Sequence, residues 1–169
     1  MTLKIFRFVV VLLLAATPLA KADERMTSVH AVDLFSRACV TYYNDRAAFA
    51  DLLKSLRAEP NDSYEKNSPS DIAYEVSISE SDLTIVDHHG ACSVFAKDAD
   101  PDMAKKMLEG FLEFLGTQGA THTSQKLPIP EGATGESIKY TIVPAYSAGA
   151  FWIVASYSGK QIAMTVGAG

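Results

Sequence analysis

The sequence predicts an α+β fold in which a mostly antiparallel sheet has helices packed on one face, in the order α(α)-βββ-α-βββ. Three observations predict it. Apolar residues recur three and four positions apart over 29–57 and 98–115, the spacing of a helix with one buried face. Over 72–96 and 137–166 they alternate with polar residues, the spacing of a half-buried strand. Short polar turns separate the runs inside the strand-rich stretches, which favours antiparallel neighbours.

The chain begins with the features of a secretory signal peptide. Lys4 and Arg7 precede an apolar core of 9 residues, Phe8 to Ala16, and Ala20-Lys21-Ala22 has small residues at both positions that a signal peptidase recognises. A transmembrane helix needs about 20 apolar residues, so this core is too short to be one. We therefore predict a signal peptide over residues 1–22, cleaved after Ala22. Residues 23–169 are predicted to be a single α+β domain that is periplasmic or secreted.

Removal of the signal peptide leaves 12 basic and 20 acidic side chains, a net charge near −8. An acidic chain without basic clusters is a poor ligand for nucleic acid or anionic lipid. We therefore expect neither nucleic acid nor, after signal cleavage, a membrane as the partner. An unknown protein or a small-molecule ligand remains, and the sequence indicates no cofactor.

Two cysteines in an exported chain predict one disulfide, between Cys39 and Cys92. It would close a loop of roughly 54 residues, which the chain-entropy model values at about 4 kcal/mol. The alternative is an unpaired, catalytic thiol with His88 and His89 close to Cys92 in the sequence. An oxidising compartment favours the disulfide, which would join the first helix to the sheet.

The helical part begins with two stretches. Thr27 or Ser28 is a candidate cap for a helix from Val29 through Cys39, whose stripe turns the thiol toward the core. Asn44 or Asp45 is a candidate cap for a second helix, Arg46 to Arg57. The two stretches form either a helical hairpin or one kinked helix. The polar, proline-containing residues 59–70 that follow are predicted to be a loop.

Three strands are predicted next, over 72–78, 83–86 and 91–96, with Cys92, Val94 and Ala96 on one face of the third. A helix follows over 98–115. Asp100 is its predicted cap and Pro101 fits its first position, where a missing N–H costs nothing. Its predicted buried face is Met103, Met107, Phe111, Phe114 and Leu115, widened by Leu108 and Leu112.

The C-terminal part starts with a predicted loop over 117–136, which holds Pro128, Pro130 and several glycines. Alternation then predicts strands over 137–143, 151–157 and 160–166, the last two joined by a Ser158-Gly159 turn. The element order resembles a duplicated α-βββ unit, although no sequence repeat supports one.

Asp87-His88-His89 is the tripeptide with the clearest chemical character. After an apolar run it resembles the signature of the DHH phosphoesterases, in which aspartate and histidines hold a pair of metal ions at a strand end. The resemblance implies a small metal-dependent hydrolase with Asp87, His88 and His89 as ligands. The match stops at the tripeptide, because only isolated aspartates precede it. The alternative is a polar turn between two strands.

A second metal pattern lies at the start of the predicted helix. Asp98, Asp100, Asp102 and Glu109 occupy positions one, three, five and twelve of an EF-hand-like calcium loop. Met103 stands where that loop requires glycine. Helix capping therefore explains these aspartates better than calcium does.

Three short segments resemble a diffuse family of small exported proteobacterial proteins of uncharacterised function. They are Phe35-Ser36-Arg37-Ala38-Cys39, Gly90-Ala91-Cys92-Ser93-Val94 and Asp98-Ala99-Asp100-Pro101. Members of this family carry one cysteine on the first helix and one on a central strand, so the resemblance implies a periplasmic location and a disulfide. It offers no activity and no catalytic residues to carry over. The chain departs from the family where a tryptophan is expected in the first strand, since Ala73-Tyr74 stands there.

These observations predict a non-catalytic binding or accessory module, because no convergent set of acid, base and nucleophile is recognisable. We predict no catalytic and no cofactor-binding residues, and enzymatic activity stays open. The alternatives are the metal-dependent hydrolase and a secreted inhibitor of another protein.

Overall fold

The computed structural model describes residues 21–40, 45–66, 68–145 and 149–168. All strands among them form one eight-stranded sheet in which every neighbouring pair is antiparallel. The helices are α1 (21–40), α2 (Arg46–Ser55) and α3 (Pro101–Thr117). The strands are β1 (Glu59–Pro60), β2 (Ile72–Ile78), β3 (Ser81–Asp87), β4 (Ala91–Ala96), β5 (Thr121–Leu127), β6 (Glu136–Val143), β7 (Phe151–Ser158) and β8 (Gln161–Ala168). The predicted α+β class and antiparallel sheet are confirmed.

The sheet order is β1-β2-β3-β4-β8-β7-β6-β5, so the two halves of the chain meet at the β4–β8 pair. Each half supplies helix and then a meander of four strands. The predicted order had three strands per half. The strands it missed are β1 and β5, in the two segments predicted to be loops, and both are at sheet edges. Neither alternates apolar and polar residues, because neither has a buried face.

The hydrophobic core lies on one face of the sheet. Every strand residue of the core cluster belongs to the face that α1, α2 and α3 cover, with Ile85, Val94, Ile153 and Met164 fully buried at its centre. The alternation of β6, β7 and β8 follows directly from this arrangement, since only alternate residues point toward the helices. None of the described helices covers the opposite face, which is called the open face below.

Helix α1 already includes the residues predicted to cap it. The Thr27 hydroxyl donates to the carbonyl of Asp23 at 3.0 Å, and Ser28 Oγ accepts from the backbone N–H of Asp100 at 2.8 Å. Both side chains can therefore be satisfied within a helix, one by its own backbone and one by the start of α3. At Phe35–Cys39 the helix widens into a π-helical turn. The linker over residues 41–44, which would decide between a hairpin and a kinked helix, lies outside the described residues.

Helix α2 begins as predicted, because the Asp45 carboxylate accepts hydrogen bonds from the N–H groups of Ala47 and Ala48. Helix α3 begins at Pro101, capped by Asp100 through a 3.1 Å bond from the N–H of Met103. Its buried face is centred on Ala104, Leu108 and Leu112.

The predicted buried face is confirmed in part, because Leu108 and Leu112 are buried, but Phe114 does not belong to it. Met103, Met107, Phe111 and Leu115 are only half-buried, and Phe114 is 58 % exposed. The apolar arc of α3 is wider than the part that reaches the sheet, so its spacing alone could not locate the contact.

None of the described helices is long and apolar enough to cross a membrane. Residues 1–20 are not among the described residues, and the signal peptide and its cleavage site stay predictions. The turn between β7 and β8 consists of Gly159 and Lys160, one residue later than predicted, with Gly159 at φ +58°.

Candidate functional site

The predicted disulfide is confirmed. Cys39 and Cys92 are bonded, with their Cα atoms 5.1 Å apart, and both side chains are fully buried. Cys39 ends the π-helical turn of α1, and Cys92 lies on the helix-covered face of β4. With both cysteines paired, neither is a thiol nucleophile in this state.

Asp87 is the last residue of β3, on the face that the helices cover. Its carboxylate is buried and forms a two-point ion pair with the Arg46 guanidinium, at 3.2 and 3.0 Å. Oδ1 also accepts the backbone N–H of His89 at 3.0 Å, which shapes the turn into β4. Arg46 stands in the first turn of α2, so this pair fixes that helix to the end of a strand.

His88 points to the other side of the sheet. Its Nδ1 lies 3.1 Å from Asp71 Oδ2, and its Nε2 lies 3.0 Å from Ser93 Oγ. Ser93 Oγ in turn lies 2.7 Å from Thr165 Oγ1 on β8. A carboxylate, an imidazole and a serine in this order have the connectivity of a hydrolytic triad.

Access decides against a catalytic interpretation of this network. Ser93 is 1 % exposed and Asp71 is 2 % exposed, whereas a nucleophile must reach its substrate. The network instead joins the segment before β2 to the central strands. Sequence reasoning did not find it, because Asp71 is an isolated aspartate and the other members of the network, His88 and Ser93, lie 17 and 22 positions away from it.

The three candidate metal ligands therefore have different surroundings. Asp87 bonds to Arg46, His88 bonds to Asp71 and Ser93, and the His89 side chain is exposed. Among the described residues there is no group of three or more His, Cys, Asp or Glu side chains placed to hold a metal ion. Metal binding by Asp87, His88 and His89 stays a prediction.

The aspartates with calcium-loop spacing serve the start of α3. Asp100 caps the helix and lies 3.6 Å from the Arg25 guanidinium, and Asp102 is in the first helical turn. Negative side chains here favour the helix through its dipole.

The open face carries the surface chemistry that the sequence did not reveal. On the five strands β4, β8, β7, β6 and β5, the residues that point outward on this face are apolar, hydroxyl-bearing or amide-bearing. Lys139 is the single charged residue among these strand positions. Its half-exposed members include Phe95, Ala163, Thr165, Trp152, Val154, Ser156, Ser137, Thr141 and Leu127. None of the 20 acidic residues points outward from these strands on this face.

Trp152 is the largest side chain of the open face. A Cβ on Gly167, the neighbouring residue of β8, would overlap the indole ring, so this glycine lets the ring lie against the sheet. Lys139 Nζ is 6.0 Å from the ring centroid, a cation–π distance. The aromatic ring is thus held in place without a covering helix.

The segment before β2, described over residues 61–66 and 68–71, covers part of the other half of this face, and Glu75, Ser77 and Asp82 there are exposed. Tyr64 packs against Phe95, with ring centroids 6.1 Å apart. Burial, with a smaller contribution from Asp71, raises the pKa of Tyr64 above its usual value. Beyond Phe95 the surface opens again into a shallow apolar pocket of about 290 Å³ that Ser156 and Ala163 also line.

No protein-family model, no curated protein and no solved structure matches this chain.

Proposed function

We propose that the chain is an exported, non-catalytic accessory protein that binds a protein partner on its open face. The observation that carries this proposal is the composition of that face on the five strands β4, β8, β7, β6 and β5. Protein interfaces have few charged residues at their centre and are enriched in aromatic ones. Here Trp152, Phe95 and Val154 are half-exposed among serines and threonines, on a chain whose net charge is strongly negative.

Charge indicates the chemistry of the partner. Lys139 points outward from β6 beside Trp152, and the exposed Lys97 follows β4. No carboxylate points outward from β4, β8, β7, β6 or β5 on this face, whereas Glu75 and Asp82 point outward from β2 and β3. A partner with an apolar patch beside one or two carboxylates would therefore match this surface, whereas a basic partner would not.

Size indicates the strength of binding. Five strands about 4.8 Å apart and about 20 Å long present roughly 450 Å². That is the size of a functional apolar patch on a monomer, but it is below the roughly 800 Å² per partner of a standard interface. We therefore expect micromolar, reversible binding.

Export is supported by the signal-peptide pattern together with the buried disulfide, since disulfides persist in oxidising compartments. A non-catalytic role is supported by the burial of Ser93, the one serine whose partners have triad connectivity in the described part of the chain. Turnover of an ester or phosphoester substrate that disappears in Ser93→Ala or His88→Ala would overturn it.

Site-specific photocrosslinking tests the location of the surface. A benzoylphenylalanine replaces Ser156 on the open face or Glu113 on the exposed side of α3, in the full chain exported by its own host. We expect a discrete protein adduct from position 156 and none from position 113. Identical adducts at both positions, or adducts only at 113, would contradict the proposal.

Titration of the crosslinked protein, once identified and purified, then tests the chemistry. Lys139→Glu should weaken binding about fivefold to tenfold, and Lys106→Glu on α3, an equal charge change elsewhere, should leave it unchanged. An equal loss in both variants would mean that net charge, not this face, controls binding. If the partner is an enzyme and loses activity on binding, the accessory protein acts as an inhibitor.

A further inference from the structure

The two edges of the sheet differ in how they are protected. The β1 edge has two residues, and one of them is Pro60, which has no N–H to offer a neighbouring strand. The β5 edge has seven residues, Thr121 to Leu127, with no proline among them. Six of these seven side chains are exposed, so neither face of β5 is covered. Such an edge is a template for pairing with another strand.

Hairpin geometry identifies the backbone groups that β5 offers. The two-residue turn between β7 and β8 makes Ser158 and Gln161 a hydrogen-bonded pair, and bonding alternates from there across the sheet. The hydrogen bonds can also be assigned from the turn between β2 and β3 and followed across β3 and β4. This second assignment gives the same direction for the backbone groups of β8. Carried to β5, it directs the N–H and C=O groups of His122, Ser124 and Lys126 away from β6.

These three residues are symmetric about Ser124. We propose that β5 pairs antiparallel with β5 of a second copy of the chain, with Ser124 on the two-fold axis. In that register Ser124 faces itself, His122 faces Lys126, and Thr123 faces Gln125. The three outward residues of each copy would exchange up to six backbone hydrogen bonds.

Charge is compatible with this self-pairing. No carboxylate lies on β5, and the one lysine, Lys126, already lies 3.4 Å from Glu136 of its own chain. Cross-strand contacts between serine, threonine and glutamine are neutral to favourable, while like charges directly opposite would be unfavourable. Because the dyad residue is a serine, the register places no charge against its own copy.

The consequence is a dimer in which two eight-stranded sheets become one, with both open faces on the same continuous surface. A single strand pair buries much less than the roughly 1,600 Å² of a standard interface. We therefore expect a Kd of roughly 10 to 500 micromolar, and a monomer in dilute solution.

Sedimentation equilibrium of the mature chain, from 5 micromolar to 1 millimolar, tests the proposal. Ser124→Pro removes an outward N–H without touching the bonds to β6, and it should raise the Kd about tenfold or more. Ser124→Ala keeps the N–H and should leave the Kd unchanged. Circular dichroism and the unfolding midpoint confirm that each variant is folded. A chain that is monomeric at 1 millimolar, or a dimer indifferent to Ser124→Pro, overturns the proposal.

A charge-swap pair tests the dyad itself and does not depend on proline. Ser124→Glu and Ser124→Lys each place like charges face to face, so each should raise its own Kd about fivefold. An equimolar mixture should form a mixed dimer at least as tightly as the wild type. If the variants dimerise like the wild type and mixing changes nothing, Ser124 is not on the axis and this interface is wrong.

Discussion

Glu136 lies between two lysines, and its interactions are controlled by pH. Lys105 Nζ is 2.5 Å from Oε1, and Lys126 Nζ is 3.4 Å from Oε2. The hydrogen bond from Lys105, opposed by partial burial, holds the pKa of Glu136 below its ordinary 4.5, and the same bond raises the pKa of Lys105 above 10.5. Since α3 carries Lys105 and β6 carries Glu136, this pair links a helix to the strand beneath it.

This pair predicts a defined pH window for stability. A carboxylate whose folded pKa is depressed stabilises the fold above about pH 4.5 and ceases to do so as the pH falls through the folded value. A lysine whose folded pKa is raised loses its contribution only as the pH rises above about 10.5. Lys105→Met should therefore lower the unfolding midpoint between pH 5 and 10, and the difference from wild type should shrink as the pH falls below 4.5 and through the lowered pKa of Glu136.

Thermal unfolding at a series of pH values, followed by circular dichroism, measures that difference. Lys106→Met, at the exposed neighbouring position, is the matched control and should shift the midpoint little at any pH. Because both partners are about a third exposed, we expect a shift of only a few degrees. A difference that does not shrink at all as the pH falls below 4.5 would contradict an electrostatic origin.

At the scale of elements, the segment before β2 depends on a polar network rather than on a regular strand or helix. Asp71 accepts the N–H of Ser68 at 3.2 Å and contacts His88, which contacts Ser93 on β4. Ser93→Ala would leave partly buried groups of His88 and Thr165 without their shared partner. Such a loss typically costs about 1 to 2 kcal/mol.

Urea unfolding gives this free energy, and hydrogen exchange at the Ser68 amide shows whether the segment detaches. Ser156→Ala on the same face removes a half-exposed hydroxyl that pairs with Ser137, and it should cost less than about 0.5 kcal/mol. We expect Ser93→Ala to accelerate exchange at Ser68 while Ser156→Ala does not. If both variants behaved alike, the network would not be what holds the segment.

The same elements explain how far the sequence could be interpreted. The inner strands and α3 were predictable, because a residue such as Val94 or Leu108 is buried through one periodic face. The edge strands were not, since Thr121–Leu127 has no buried face to leave a pattern. The pairing of Asp71 with His88 was not predictable either, because a polar contact across the sheet has no period in the sequence.

At the scale of the whole molecule, the two halves of the chain are arranged alike and meet at β4 and β8, and the disulfide is at this junction. Cys92 on β4 pairs in register with Val166 on β8, and its sulfur holds the π-helical turn of α1. The sequence located both cysteines and their partnership. It could not show that one of them lies at the seam between two similar halves, because that depends on the order of the strands.

Loss of this bond should therefore weaken the whole fold. A crosslink between residues 53 positions apart restricts the unfolded chain by about 4 kcal/mol in the entropic account. The total free energy of unfolding of a domain of this size is only about 5 to 15 kcal/mol.

We expect the double variant Cys39→Ala, Cys92→Ala to have a free energy of unfolding about 3 to 5 kcal/mol below that of the disulfide-bonded wild type, measured by urea unfolding. A thiol reductant should destabilise the wild type by a similar amount and leave the double variant unchanged, which separates the crosslink from the packing of two sulfur atoms. If the double variant lost less than about 1 kcal/mol, the helices would hold the central strands without the bond.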